Sequence, residues 1–253
     1  MVWQPCVWAD FTRVEPFYLG LSIWQNWDLT KRRAKEGMPR AMNETDYNVH
    51  LGATAWESED EEWSVSLELG HEWYTYRPDS GWGEDYPASY EFYLKAEFNN
   101  PFVGVYGQYS QAYHPVKACH FEVGLTKEVT IGELMESEND ILNRLSVGAD
   151  WNVNFGSGKY LTAYLYGVGS GRYVYDEETE EEYFENDSLC NGIGGTTFRL
   201  NVGYEVCDCL TIGLVGAYTA VLNQDARDGL EAVGYGGSHK NLAWGGVQVK
   251  LSF

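Results

Sequence analysis

The chain ends on Val247-Gln248-Val249-Lys250-Leu251-Ser252-Phe253, where apolar and polar residues alternate strictly up to an aromatic carboxyl terminus. A two-residue beat sends successive side chains to opposite faces of a β-strand, so this segment is apolar on one face and polar on the other. The same beat recurs back to the first residues without a sustained helical period. Strands of this kind either bury their apolar rows in a shared core or turn them outward to an apolar medium and enclose the polar rows. Sustained over most of a chain, the second arrangement is that of an antiparallel transmembrane up-and-down β-barrel, which is the fold expected here.

The chain has 253 residues and no Pro- or Ser-rich linker, so one domain covering 1–253 is expected. Its apolar runs fall well short of the about 18 residues that a spanning helix requires. The mean hydropathy of -0.39 is compatible with a membrane barrel, in which only every second side chain meets lipid. The net charge of -21, from 38 acidic and 17 basic residues, repels phosphate backbones and excludes nucleic acid as a partner. A charged segment followed by an apolar stretch is missing from the amino terminus, so an exported barrel is expected to have lost its signal upstream of Met1.

Eleven strands are predicted, over 2–11, 16–28, 45–57, 62–77, 88–99, 102–114, 118–130, 143–156, 196–206, 209–222 and 241–253. Short connectors at 12–15, 57–61, 99–101 and 207–208 alternate with long ones at 30–45, 77–87, 158–195 and 223–240, the asymmetry of outer-membrane barrels. Two connectors break the alternation, 114–117 by being short and 131–142 by being long. Lys159 to Tyr175 could add a hairpin within the largest loop or lengthen the strands. Closed antiparallel barrels need an even strand number, so about twelve strands are expected, one of them upstream of Met1 or supplied by that loop.

Facing follows from parity. In the last strand Val247, Val249, Leu251 and Phe253 form the apolar row, leaving Gln248 and Lys250 inward. In the 143–156 strand Leu145, Val147, Ala149, Trp151, Val153 and Phe155 face outward against Arg144, Ser146, Gly148, Asp150, Asn152 and Asn154. The expected pore-lining set is Glu68, Glu72, Glu91, Lys95, Glu97, Glu122, Arg144, Asp150, Arg199, Glu205 and Lys250, with His50 and His120 on the same side. Each Arg or Lys placed in lipid at mid-membrane would cost about 2–4 kcal/mol, which gives the segregation a physical cause. Trp73, Tyr74 and Tyr76, near a strand end, suit an interfacial girdle.

The runs Asn43-Glu44-Thr45-Asp46-Tyr47-Asn48-Val49-His50-Leu51-Gly52, Gly70-His71-Glu72-Trp73-Tyr74-Thr75-Tyr76-Arg77-Pro78, Tyr90-Glu91-Phe92-Tyr93-Leu94, Val105-Tyr106-Gly107-Gln108-Tyr109-Ser110 and Phe121-Glu122-Val123-Gly124 follow in an order that resembles the TorF-type porin family. The resemblance covers most of the chain from Trp3 and rests on short strand pieces. It implies a bacterial outer-membrane barrel of about twelve strands with a channel role, and a chain that begins at the family's second strand. Arg77 before Pro78, the long 131–142 turn and the large acidic loop depart from the family pattern.

No catalytic constellation is read. The five histidines, His50, His71, His114, His120 and His239, each suit an interfacial or lumen position, and no serine sits in a Gly-x-Ser-x-Gly elbow. Gly156-Ser157-Gly158-Lys159 lacks the earlier glycine of a phosphate loop and is read as a turn. The cysteines Cys6, Cys119, Cys190, Cys207 and Cys209 are read mostly as packing residues, with a strained disulfide or a metal contact as the alternative at the tight turn around Asp208. The acidic stretch Asp176 to Asp187 has no EF-hand pattern and is read as a solvated loop, with divalent-ion or lipopolysaccharide bridging as the alternative. Lys31, Arg32, Arg33, Lys35 and Arg40 form a basic counterpart, suited to anionic headgroups or to that acidic loop. No cofactor or metal is expected. The expected partners are the lipid bilayer, lipopolysaccharide and, through the strand ending at Phe253, the barrel-assembly machinery.

With acids exceeding bases in the inward set, the expected function is a narrow, weakly cation-preferring outer-membrane channel for small polar solutes or ions. The alternatives are a structural or surface-binding barrel occluded by its own charge pairs that acts through its loops, a soluble ligand-binding barrel with its apolar row inside and, less favoured, an outer-membrane hydrolase.

Overall fold

The computed structural model describes residues 2–3, 6–14, 16–28, 41–76, 88–161, 172–176, 181–185, 191–207, 209–232 and 241–251. The strands are β1 (Val2–Trp3), β2 (Cys6–Val14), β3 (Phe17–Asp28), β4 (Ala41–Glu57), β5 (Ser64–Tyr76), β6 (Ala88–Asn99), β7 (Gly104–His114), β8 (Ala118–Thr130), β9 (Leu145–Gly156), β10 (Arg172–Asp176), β11 (Glu181–Glu185), β12 (Gly192–Cys207), β13 (Leu210–Val221) and β14 (Asn241–Leu251). Twelve of them form one up-and-down antiparallel sheet in the order β1-β3-β4-β5-β6-β7-β8-β9-β12-β13-β14, with β2 also pairing β3. Among the described residues no ladder joins β14 to β1 or β2, so the sheet is open there.

β1 pairs with Trp27 and Asp28, and β2 with Phe17 to Trp24, so the two lie end to end along one side of β3. Counted together, they match the first of the eleven predicted strands, and the other ten are present too. β4 starts four residues earlier than predicted because Ala41 and Met42 pair with Asp28 and Trp27 across a register shift.

The chain forms two compact units, Met1–Asn99 with Gln108–His120, and Asn100–Gly107 with Phe121–Phe253. In the first, two rings lie across glycines of the neighbouring strand. An added Cβ would stand 2.0 Å from the Tyr18 ring at Gly52 and 2.2 Å from the Tyr93 ring at Gly70. Tyr18 and Gly52, like Tyr93 and Gly70, are registered partners across their ladders. Only glycine leaves room for a ring flat on the sheet, and the ring covers backbone the glycine would bare. The second unit repeats the device, with Tyr106 over Gly124.

Connectors carry the helices. α1 (Ile131–Leu134) and α2 (Asp140–Asn143) fill the long 131–142 turn, capped by the side chains of Thr130 and Asn139. α3 (Gly158–Tyr160) is capped by Ser157, so the Gly156–Lys159 run is a helix start, a local turn as expected. α4 (Gln224–Ala232) follows β13, where Leu161, Val221 and Ala226 make a small buried apolar cluster. β10 and β11 pair as a hairpin, so part of the acidic stretch is strand. The basic patch at 31–40, Arg77, Pro78, His239 and Phe253 lie outside the described residues.

The β4–β5 turn is tied by its own polar groups. The Ser58 hydroxyl donates to Asp60 at 2.5 Å, the Glu62 N–H donates to the same carboxylate oxygen at 3.3 Å, and Ser58 N–H reaches the Trp63 carbonyl at 2.8 Å. The Ser58 hydroxyl, and then the Glu62 N–H, hold the Asp60 carboxyl below the usual carboxylate range. A lowered folded value means these ties are in force above the ordinary aspartate range and loosen as pH falls through the folded value. Ser58→Ala is expected to move the Asp60 titration upward in carbon-13 NMR.

Gly70→Ala is expected to force the Tyr93 ring off the sheet at about 1–3 kcal/mol. The drop in urea midpoint reads this, and it should shrink in a Tyr93→Ala background.

Candidate functional site

Burial in this sheet is inverted. Along β6, Glu91 and Tyr93 are 4% and 5% exposed, whereas Phe92 and Leu94 are 51% and 52% exposed. Leu19 and Leu21 of β3, Leu67 and Leu69 of β5, Phe198 and Leu200 of β12 and Ile212 and Leu214 of β13 are exposed as well. Among the described residues, two of the three largest side chains with almost no exposure are the serines Ser89 and Ser110. Water-soluble domains do the reverse.

The apolar face of the first unit is ordered along the strands. Phe17, Trp56, Trp63 and Phe98 lie toward the short turns, Trp63 and Phe98 with ring centroids 5.7 Å apart. His71, Trp73, Tyr90, Phe92, Tyr113 and His114 gather toward the long-connector ends, with His71 4.1 Å from Trp73 and 4.4 Å from Phe92. Leu51, Leu67, Leu69 and Leu94 lie between. From Tyr90 to Phe98 the strand advances about 26 Å, or about 20 Å across a membrane at a tilt of about 40°. Two aromatic bands around an aliphatic one of that height are what a bilayer sorts for.

The polar face of the first unit is a network built on three carboxylates. Glu68 accepts from Tyr18 at 3.1 Å and from Tyr93 at 2.6 Å, and His50 Nε2 lies 4.0 Å away. Glu72 accepts from Asn48 at 3.1 Å and from the Tyr74 hydroxyl, which also stands 2.9 Å from Glu91. Asn48 further reaches the Tyr93 oxygen at 3.1 Å, and its carbonyl meets His50 Nδ1 at 2.8 Å. Lys95 pairs with Glu97 at 3.0 Å. The register explains the gathering, because Glu68 is opposite both Gly52 and Lys95, and Glu72 is opposite both Asn48 and Glu91.

In the second unit Tyr106 donates to Glu122 at 2.8 Å, and the cross-strand partners Arg199 and Asp150 approach to 3.7 Å. Arg144 stands at the end of α2, where its guanidinium meets Asp140 at 3.2 Å and the Val206 carbonyl at 3.2 Å. The Asp140 hydrogen bond and charge raise the Arg144 pKa further. Glu205 is exposed near the end of β12, and the Lys250 side chain lies outside the described residues. The predicted set therefore divides: Glu68, Glu72, Glu91, Lys95 and Glu97 share one face of the first unit. Glu122, Asp150 and Arg199 sit on strands of the second, with Arg144 and Glu205 at its connector ends.

Tyr74 is corrected. It points to the polar face and bonds carboxylates instead of joining the girdle with Trp73. Sequence reading also passed over Tyr18, Tyr93 and Tyr106 as carboxylate donors, although parity places Tyr93 in the row of Glu91 and Lys95. The described residues contain no group of three or more His, Cys, Asp or Glu arranged to hold a metal ion.

No family model matches the chain, and no curated protein matches it. Among solved structures it is similar to the crystal structure of BamA from Haemophilus ducreyi lacking POTRA domains 1-3, at 11% identity and a TM-score of 0.38. That match covers 98% of this chain and 55% of the other, so the chain spans little more than half of its length.

Tyr93→Phe keeps the ring over Gly70 but removes the hydrogen bonds to Glu68 and from Asn48. A loss of about 1.5–3 kcal/mol in unfolding free energy is expected, with a smaller loss in a Glu68→Gln background.

Proposed function

We propose that the protein is a bacterial outer-membrane β-barrel whose polar rows line a narrow, weakly cation-preferring path for small polar solutes or ions. The observation that carries the reading is the inverted burial, with Phe92 and Leu94 exposed beside the buried Glu91 and Tyr93. An apolar row in water is unfavourable by about 25 cal/mol for each Å² exposed, and lipid removes that penalty. The excess of carboxylates on the polar face favours cations by their field. The resemblance to TorF-type porins points the same way. Catalysis has no part in this reading, and lipopolysaccharide and the barrel-assembly machinery are its partners at the long loops and the last strand.

A second reading draws on the tyrosine network. Tyr18, Tyr74 and Tyr93 lie among Glu68, Glu72 and Glu91 and cross-link the face. A barrel closed in this way would be a scaffold acting through its loops.

The full chain, refolded in detergent and added to planar bilayers under a salt gradient, separates the two. The channel gives small steps with a cation-directed reversal potential, and Glu72→Gln with Glu91→Gln lowers the cation-to-anion permeability ratio about two-fold. Folded protein without conductance leaves the scaffold, and anion selectivity removes the cation preference. Protein that leaves the cells without detergent excludes both.

A further inference from the structure

The β12–β13 connection is short, with β12 ending at Cys207 and β13 starting at Leu210. A register shift separates Glu205 from Cys207, so the backbone bulges just before the turn. Cys207 and Cys209 are both exposed, and their Sγ atoms are 3.1 Å apart. Two thiolates sharing a tetrahedral zinc ion, each about 2.3 Å from the metal, would hold their sulfurs about 3.7 Å apart. The pair is closer than that. Two thiols brought together by local backbone geometry, and open to solvent, are placed for exchange with each other through an external disulfide.

We propose that Cys207 and Cys209 are a redox-exchange site, a dithiol that takes the disulfide of a small thiol carrier or of a thiol–disulfide oxidoreductase as its co-reactant. One cysteine, as thiolate, attacks a sulfur of the carrier's disulfide. A mixed disulfide forms, and half of the carrier leaves as a thiolate that takes up the proton lost by the attacking thiol. The second cysteine then attacks the protein-side sulfur of the mixed disulfide, closing the Cys207–Cys209 bond and expelling the other half of the carrier with the second proton. The carrier gains two electrons and two protons and the protein loses them. The ring so closed contains one intervening residue, Asp208. Closing so short a loop removes little chain entropy from the unfolded state, so the bond adds little stability and belongs with exchangeable disulfides. The site is independent of whether the barrel conducts. In the outer-membrane reading the turn lies on the short-connector side, which in such barrels faces the oxidising periplasm.

The test is the full-length protein folded in detergent, equilibrated with mixtures of reduced and oxidised glutathione, quenched in acid, alkylated and digested. The peptide containing both residues is expected to pass from doubly alkylated to an unalkylated species two hydrogens lighter as the oxidised fraction rises, and to return on reduction. With Cys207→Ser, Cys209 is expected to stop at the glutathione adduct, because the resolving thiol is gone. A peptide that stays doubly alkylated in oxidised glutathione overturns the proposal. So does an adduct on both residues of the native chain, a bond to Cys119, or protection from alkylation that needs added zinc.

Discussion

The structure depends on one constraint, that a strand cannot turn two adjacent side chains to the same side. Once Phe92 and Leu94 face outward, Glu91, Tyr93 and Lys95 have no choice of face, and the register passes that choice to each neighbouring strand. Leu69 is opposite Leu94 and Glu68 opposite Lys95, so apolar meets apolar and charge meets charge without any side chain having to cross the sheet. A slip of one residue in a single ladder would put Glu68 and Glu72 in the apolar row. That consequence makes the register self-correcting in an apolar medium, where each misplaced charge is costly.

The same constraint bears on the edges. Every backbone group within an apolar medium needs an internal partner, because water is absent. β14 and the β1–β2 side of the sheet have one unpaired edge each among the described residues. An open edge in hydrocarbon would leave several N–H and C=O groups unsatisfied.

Legibility in the sequence followed the physics of periodicity. All eleven strands were readable because a two-residue beat is local, repeated and imposed on long segments. The short helices α1, α2 and α3 were not predicted, since three or four residues carry no period, although Thr130 with Glu133 and Asn139 with Asp140 are recognisable helix starts. Nearness to a strand end suggests the girdle for Tyr74, whereas its parity with Glu72 puts it on the polar face. The tyrosine–glycine joints could not be read strand by strand. Tyr93 over Gly70 and Tyr18 over Gly52 exist only once the register between strands is known, and register comes from pairs of strands. The carboxylates of the candidate site were therefore readable one by one, and their hydroxyl partners were not.

Those partners change what the carboxylates can do. A glutamate on an open rotor would swing toward any passing cation and hold it, which makes a binding site and a poor conduit. Glu68 cannot swing, because Tyr18 and Tyr93 each donate to it and their rings are pinned over glycines. Its charge is fixed by the covalent rigidity of two phenols and by the absence of a Cβ at Gly52 and Gly70. The backbone glycines thus act on the electrostatics of the face through the rings they admit. In the channel reading this arrangement sets a stationary field that favours cations without trapping them. In the scaffold reading the same bonds are the cross-links that close the interior. Both readings therefore rest on the tyrosines as much as on the acids, and conductance separates them.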